Sequence, residues 1–466
     1  MAYWFEQPEN YRGVLLTPAQ MSRADALANE TAKLMQAAGW AVARAILRRH
    51  KPTRTLILAG PGQNGGDGKI TAHYLAKAGW PVHVKDFRDA EPGEVARAGL
   101  VVDAIFGAGL SRDIDAHTHS LLAAARQIVA IDVPSGLDGA TGQIRGYAPQ
   151  AALTITFVRK KPGHLLFPGR SLCGELLLCD IGMADSIIAA IAPTAWENSP
   201  ALFRLPGHAA TDHKYSHGDV TILSGTLPGA ARLAAMAARR AGAGMVSIAA
   251  QQAAPLPEAG LILRRDPLSM LLADPRRTHW LVGPGLGVDT ASASLTALLN
   301  VPGLHILADA DALTACANAP ERLRGVEIIT PHEGEFTRLF GPVGPDKPAA
   351  ARRAAALINA VVVLKGPDTI IAAPDGTTVI NANAPPWLAT GGTGDVLAGL
   401  IIALLARGMT PFTAACAGVW LHGQAGQEAG PGLLAEDLPP LLGRLAQEEN
   451  RYAPATNVKI AYKPDL

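Results

Sequence analysis

Two glycine-rich stretches, far apart in the chain, each carry an aspartate near the start of a helical pattern. They are Gly60-Pro61-Gly62-Gln63-Asn64-Gly65-Gly66-Asp67-Gly68 and Thr390-Gly391-Gly392-Thr393-Gly394-Asp395. Glycine lets backbone amides approach an anion closely, and a helix start favours negative charge beside it. A carboxylate set into such a loop repels a bound phosphate. It points to proton transfer beside an anion rather than to binding alone, and two such loops point to two active sites.

Other oxygen-bearing residues surround the first loop in the pattern. Asp103 and Asp132 close two apolar runs, with Asn64 and Ser135 nearby. Mixed, low-charge oxygen donors of this kind suit a hard cation. Ser135 is no nucleophile elbow, because Pro134-Ser135-Gly136 lacks the G-x-S-x-G frame. Gly60, Gly62 and Gly65 satisfy G-x-G-x-x-G, and Asp86 stands where a ribose-binding acid is expected. Asp67 speaks against an ordinary dinucleotide unit, since it would face the pyrophosphate. In the second loop, Asp395 could take a proton from an attacking hydroxyl while the loop amides hold phosphate. Plainer readings stand beside these. Asp67 could be a helix-start acid, Asp103 and Asp132 caps or turn residues, and the second loop a capped helix start. His332 alone could be a strand-end turn residue, and Lys365 a solvated lysine.

The elements that must position these residues alternate. Thr55-Leu56-Ile57-Leu58-Ala59 reads as a strand entering the first loop, and residues 67–78 as a helix with Ile70, Tyr74, Leu75 and Ala78 on one face. Strands follow at residues 82–84, 100–105 and 128–132. This alternation implies a parallel sheet with helices on both faces and ligands at the carboxyl ends of the strands. The pattern breaks between residues 195 and 217, where Pro200, Pro206 and Gly207 precede Asp212, His213, Lys214 and His217. A second α/β region starts with a strand at 220–223 and a helix at 230–241. Further strands are expected at 280–282, 305–308, 327–329 and 361–364. Pro374-Asp375-Gly376 marks a hairpin between strands at 369–372 and 377–380. A helix at 396–406 follows the second glycine loop.

Bulk composition narrows the class. The chain has 466 residues, enough for two domains, and 41 basic against 40 acidic side chains. Near-neutral charge speaks against a protein built to bind nucleic acid or acidic membranes. The most apolar stretch, 396–406, is far short of the ~20 residues that span a bilayer. No signal peptide is read at residues 1–9, so the expected location is cytoplasmic. Cys173, Cys179, Cys316 and Cys416 form no C-x-x-C pair and read as reduced core residues.

In combination the first-half motifs resemble the NAD(P)H-hydrate epimerase family. They are Gln63-Asn64-Gly65-Gly66-Asp67-Gly68, Asp103-Ala104-Ile105-Phe106-Gly107-Ala108-Gly109-Leu110 and Ile131-Asp132-Val133-Pro134-Ser135-Gly136-Leu137, with Thr154-Ile155-Thr156-Phe157 and Lys161-Pro162-Gly163. The resemblance implies a Rossmann-like fold and interconversion of the R and S epimers of hydrated NADH or NADPH. It implies that Asn64, Asp103 and Ser135 ligate a potassium ion. It also implies substrate contact by Gln63, Asn64, Gly65, Gly66, Asp67, Gly107, Ala108, Gly109, Leu110, Ser111, Arg112, Asp113 and Asp132. Gln63 stands where asparagine is commoner, and Lys69 where an apolar residue is common. Epimerising a hemiaminal-like carbon needs a proton donor and acceptor, for which Asp132 ranks first and Asp67 second.

The second-half motifs resemble the ADP/ATP-dependent NAD(P)H-hydrate dehydratase family. These are Gly283-Pro284-Gly285-Leu286-Gly287, Asp309-Ala310-Asp311-Ala312-Leu313, Thr330-Pro331-His332-Glu333-Gly334-Glu335 and Lys365-Gly366-Pro367-Asp368-Thr369, with His217-Gly218 and the run from Gly229 to Ala235. The resemblance implies that Ala230, Gly285, Gly287, His332 and Asp395 contact the hydrate. Lys365, Gly366, Pro367, Asp368, Thr369 and Gly394 would hold the nucleotide. Asp395 would be the general base, ADP the co-substrate and Mg²⁺ the charge-neutralising ion. Asn383-Ala384-Pro385-Pro386-Trp387-Leu388 departs from the shorter lead-in expected before the catalytic loop.

The sequence thus implies an α/β protein with an N-terminal Rossmann-like three-layer domain, residues 1–205, followed by a ribokinase-like α/β domain, residues 206–466. The expected enzyme epimerises hydrated NAD(P)H (NADHX or NADPHX) and dehydrates the S form at the expense of ADP. It would be a homo-oligomer with K⁺ and Mg²⁺ as cofactors and no nucleic-acid or membrane partner. Two rivals are a ribokinase-like small-molecule kinase with an accessory nucleotide-binding domain, and a sensor that binds adenylates without turnover.

Overall fold

The computed structural model describes residues 13–250 and 258–445. Residues 1–9, read above for targeting, lie outside that range. The chain divides at Trp196–Glu197 into two compact units.

The strands of the first unit are β1 (Val14–Leu15), β2 (Thr55–Ala59), β3 (Val82–Asp86), β4 (Leu100–Ala104), β5 (Ile128–Ile131), β6 (Leu153–Phe157), β7 (Glu175–Cys179) and β8 (Ala195–Glu197). Six of them form a parallel sheet in the order β3-β2-β4-β5-β6-β7. β1 pairs antiparallel with β8. Every residue of β2, β4, β5 and β6 is buried, as expected of parallel strands covered on both faces. The strand order reverses around β2 and β4, so the crevice beyond their carboxyl ends is where a ligand belongs.

The helix after β2 spans Gln63–Lys77 and starts earlier than the expected 67–78. Gly62 caps it in an extended conformation, and Gly65 sits in its first turn. A Cβ on Gly65 would fall 1.9 Å from the Gly60 carbonyl oxygen, so glycine there permits the tight strand-to-helix turn. Asn64 and Asp67 are therefore helical residues with fixed directions. Of the expected face Leu75 is buried, together with Thr71 and Ala72, while Ile70 and Tyr74 are half-buried and Ala78 is an exposed cap.

The second unit contributes β9 (Asp219–Leu223), β10 (Met245–Ala249), β11 (Ile262–Arg264), β12 (His279–Val282), β13 (His305–Ala308), β14 (Ile328–Ile329), β15 (Val361–Leu364), β16 (Ile370–Ala372) and β17 (Thr378–Ile380). Their order is β17-β16-β15-β14-β13-β12-β9-β10-β11. The pairings from β11 through β15 are parallel, and β15-β16-β17 are antiparallel through the expected Asp375-Gly376 turn. The helix Thr393–Ala406 begins three residues before the expected 396, and residues 396–406 are all buried. It packs so closely on the helix Pro228–Arg240 that a Cβ on Gly399 would lie 2.0 Å from the Ala234 carbonyl oxygen.

The unit boundary falls before the expected 205. Asn198 already belongs to the second unit. Its N–H donates to the Ile380 carbonyl, and its Nδ2 donates to Asn381 Oδ1 and the Cys416 carbonyl. The four cysteines are buried and free. Among the described residues no helix is long and apolar enough to cross a membrane.

Candidate active sites

The crevice beyond β2 and β4 is a cavity of about 610 Å³. Gln63, Asn64, Asp67, Gly107, Ala108, Gly109, Leu110, Ser111, Arg112 and Asp132 line it. Gly65 and Gly66 are outside the lining and serve the helix start instead. A Cβ on Gly66 would sit 2.6 Å from Met35 Sδ. Asp113 is exposed and also outside the lining. Asp86 is committed elsewhere: its carboxylate accepts from the Arg88 N–H at 3.0 Å and pairs with the Arg88 guanidinium at 2.7 Å.

Asp132 follows β5 at φ +69, a strained conformation for a side-chain residue. The strain is held by its contacts. Oδ1 accepts from Lys161 Nζ at 2.6 Å and Thr156 Oγ1 at 3.0 Å, and Oδ2 accepts from the Ala108 N–H at 2.9 Å. Its carbonyl accepts from His164 Nε2 at 2.8 Å, while His164 Nδ1 accepts from the Lys161 N–H, which fixes the neutral tautomer. Burial alone would raise the Asp132 pKa, but the Lys161 ammonium and these hydrogen bonds hold it at about 2. Asp67 is the opposite case. Burial, and then the charges of Asp132 and Asp25, push it up to about 8 against the pull of Lys161. Asp25, on the helix Pro18–Ala28, lines the same cavity.

Asp103 and Ser135 lie beneath this cavity. Ser135 Oγ donates to Asp103 Oδ1 at 2.6 Å, and its N–H donates to Oδ2 at 2.8 Å. Asp103 is fully buried, its pKa is raised by that burial, and no described lysine or arginine pairs with it. Asn64 is buried with its Nδ2 lacking a partner.

In the second unit the expected residues converge at the carboxyl ends of β9, β12, β13 and β15. Gly283, Gly285 and Gly287 have φ of +126°, +59° and +85°. The Leu227 N–H donates to the Gly285 carbonyl, and a Cβ on Gly285 would be 3.1 Å from that of Ala230. The Gly287 N–H donates to Asp311 Oδ2 at 2.8 Å. Lys365 is no solvated lysine: its Nζ donates to the buried Asp309 Oδ1 at 3.0 Å. Burial works against its charge, but Asp309, Glu335 and Asp395 outweigh this and raise its pKa. A Cβ on Gly394 would be 3.5 Å from the same ammonium. Asp395 occupies the first turn of its helix, where burial and then Asp309 raise its pKa to about 6 against the pull of Lys365.

His332 caps the helix Glu333–Phe340, its Nδ1 accepting from the Gly334 and Glu335 N–H groups, and more than half of the side chain stays exposed. Gly366 and Thr369 close their own loop, with the Thr369 hydroxyl donating to the Gly366 carbonyl at 2.9 Å. Asp368 is ion-paired with Lys347, so its carboxylate braces this loop. The unusual lead-in is pinned, Asn383 Nδ2 donating to the Trp420 carbonyl and Trp387 Nε1 to that of Gly426.

Sequence reasoning missed Asp25, the part played by Lys161 and His164, and the pairing of Asp309 with Lys365. Lys161 and Asp309 both stood inside quoted motifs. Asp25 had no motif to mark it.

Two α/β units, each with an aspartate of raised pKa on the helix that follows a glycine loop, define a two-domain α/β fold. A family profile described as NAD(P)H-hydrate dehydratase matches residues 220–446, and one described as YjeF-related protein N-terminus matches residues 31–96 and 84–163. The chain is 35% identical to the bifunctional NAD(P)H-hydrate repair enzyme of Moorella thermoacetica, over 93% of this chain and 97% of the relative. It is 37% identical to that of Mycobacterium tuberculosis H37Rv, over 78% and 80%. The ADP/ATP-dependent NAD(P)H-hydrate dehydratase of Bacillus subtilis, co-crystallized with ATP/Mg²⁺, is similar at 29% identity and TM-score 0.47 over 53% of this chain and 95% of that one. The chain belongs to the family of bifunctional NAD(P)H-hydrate repair enzymes.

Proposed function

We propose that the first unit epimerises hydrated NAD(P)H and that the second removes water from the S epimer at the expense of ADP. One observation carries the reading: each unit holds an aspartate poised to exchange a proton near neutrality, Asp67 at about 8 and Asp395 at about 6. Neighbouring carboxyls whose environments push their pKa values apart divide acid and charge-stabilising roles between them. We assign the proton to Asp67 and the standing negative charge to Asp132, reversing the order read from sequence. Protonated Asp67 gives its proton to the departing hydroxyl, which leaves as water while the ring nitrogen lone pair forms the C=N⁺ bond. Ionised Asp132 stabilises that cation. Water then adds to either face and returns a proton to Asp67.

Asn64, Asp103 and Ser135 fit a hard monovalent cation, because their donors are oxygens and Asp103 is a buried carboxylate with no cationic side-chain partner among the described residues. Potassium held there would supply positive charge under the cavity floor.

In the second unit, Asp395 removes the proton of the ring hydroxyl. The oxygen attacks the terminal phosphorus of ADP and AMP departs. The C–O bond to phosphate then breaks, and loss of a proton from the adjacent carbon restores the reduced ring. Lys365 and Gly394 face the transferring phosphate. Asp309 and Asp311 offer the carboxylate oxygens that suit magnesium, which would neutralise phosphate charge.

The test incubates mixed epimers with the full chain and ADP, and separately ATP, and follows the reduced-nicotinamide absorbance. Complete recovery is expected. Recovery limited to the S fraction in Asp67→Asn assigns epimerisation to the first unit. A stable phosphorylated product would favour the kinase reading, and no recovery with either nucleotide overturns the proposal.

A further inference from the structure

The polar run that enters the second unit is given no part in the reactions proposed above, and it brings three metal-ligating side chains together. His208, Asp212 and His217 each present one ligand atom, and these lie within 4.8 Å of one another. His217 Nε2 is 3.3 Å from Asp212 Oδ2, and the two imidazole rings are 4.8 Å apart between centroids. Ligand bonds of about 2.1 Å around a tetrahedral ion put neighbouring donor atoms about 3.4 Å apart. The His217–Asp212 pair already has that spacing. His208 is exposed and needs only a rotamer adjustment to close the third side.

The backbone holds this arrangement from several directions. The Ala209 N–H donates to Asp212 Oδ2 at 2.7 Å and the Asp212 N–H to the Ala209 carbonyl at 3.0 Å, closing the turn on itself. Arg407 Nη2 donates to the Pro206 carbonyl just before His208, at 2.5 Å. The Gly244 N–H donates to the His217 carbonyl at 3.2 Å. Gly218 has φ +81, and a Cβ there would lie 2.4 Å from the Ala406 carbonyl oxygen. The cluster thus abuts the carboxyl end of the helix whose amino end carries Asp395. Eleven helical residues separate them, about 16 Å at 1.5 Å each. It also precedes β9, so it lies at the amino end of that strand, whereas the glycine loops follow carboxyl ends.

We propose that His208, Asp212 and His217 bind one borderline divalent cation of the zinc or cobalt class. Two imidazole nitrogens and one carboxylate oxygen select such ions over magnesium or calcium, and the solvent-facing side leaves positions for water. The bound ion would staple the entry segment to the body of the unit.

The experiment uses the full chain after chelator treatment and dialysis. Co²⁺ is titrated while its visible d–d absorption is read, and Zn²⁺ displacement of that signal is followed. One equivalent with tetrahedral or five-coordinate intensity is expected. His208→Ala and Asp212→Asn should each weaken Co²⁺ binding tenfold or more, with circular dichroism confirming the fold. Asp395→Asn should leave the band unchanged, separating this site from the acidic residues around the nucleotide loop. No band in the wild type, or a band unaltered in His208→Ala and Asp212→Asn, or one lost in Asp395→Asn, would overturn the proposal.

Discussion

Asp67→Asn should make the protein more stable at alkaline pH while removing epimerisation. The folded Asp67 has a pKa of about 8, against 3.8 for an ordinary aspartate. Its folded pKa is raised, so its contribution is fully present below the unfolded pKa and is lost as pH climbs through the folded one. Between those values the unfolded chain has released the proton and the folded chain has kept it. Stability therefore falls by about 1.36 kcal/mol per pH unit, or about 4 kcal/mol between pH 5 and pH 8. Solvent reaching the half-buried side chain reduces this to roughly 2–4 kcal/mol. Asparagine is nearly isosteric with the protonated acid and does not titrate. The variant should match the wild type below about pH 3.8, and its advantage should grow by roughly 2–4 kcal/mol between pH 5 and pH 8, while epimerisation falls by about 10²–10⁴. Calorimetric melting at the two pH values, paired with the epimer-recovery assay, reads both effects. Parallel pH profiles for variant and wild type would refute the raised pKa. Retained epimerisation would refute the role.

Three further outcomes follow from the second unit. Asp395→Asn should cut dehydration about 10²–10⁴-fold while epimerisation by the first unit persists, measured by epimer ratio and cofactor recovery. Lys365→Met strands the buried Asp309 carboxylate and should cost about 3 kcal/mol in denaturant unfolding along with nucleotide affinity. Gly285→Ala forces a Cβ to 2.3 Å from the Leu227 carbonyl oxygen at φ +59, so it should raise the KM for the hydrate by displacing the Ala230 loop.

The apolar runs made the central parallel strands legible, because a strand buried on both faces is a short continuous run. The glycine loops and their aspartates were equally legible. A short half-buried strand such as β11 carries little such signal. The two helix starts were misplaced for one physical reason. Glycine has a poor helix propensity, yet Gly65 is helical where a Cβ would meet the Gly60 carbonyl oxygen, and Gly394 is helical beside the Lys365 ammonium. The proposed ranking of Asp67 over Asp132 as the proton carrier was beyond sequence, since it depends on the 2.6 Å contact of Asp132 with Lys161, whose motif gave no direction for its side chain.

Asp395 shows how far burial, joined by neighbouring charge, outweighs backbone electrostatics. It sits in the first turn of its helix, where the macrodipole favours the anion by about 0.3–1 kcal/mol, less than one pKa unit. Its pKa nevertheless stands about two units above an ordinary aspartate, because burial and the charges of Asp309 and Asp311 act in the other direction. The base must be ionised to accept the hydroxyl proton, so kcat/KM for dehydration should fall below about pH 6. Asp311→Asn removes one of the like charges and keeps an amide oxygen to accept the Gly287 N–H. The acid limb should then move to lower pH by several tenths of a unit to about one unit, since each unit corresponds to 1.36 kcal/mol of lost repulsion. A limb that stayed in place, or moved upward, would mean that burial alone sets the proton affinity of Asp395 and that the acidic pair beside it serves the phosphate instead.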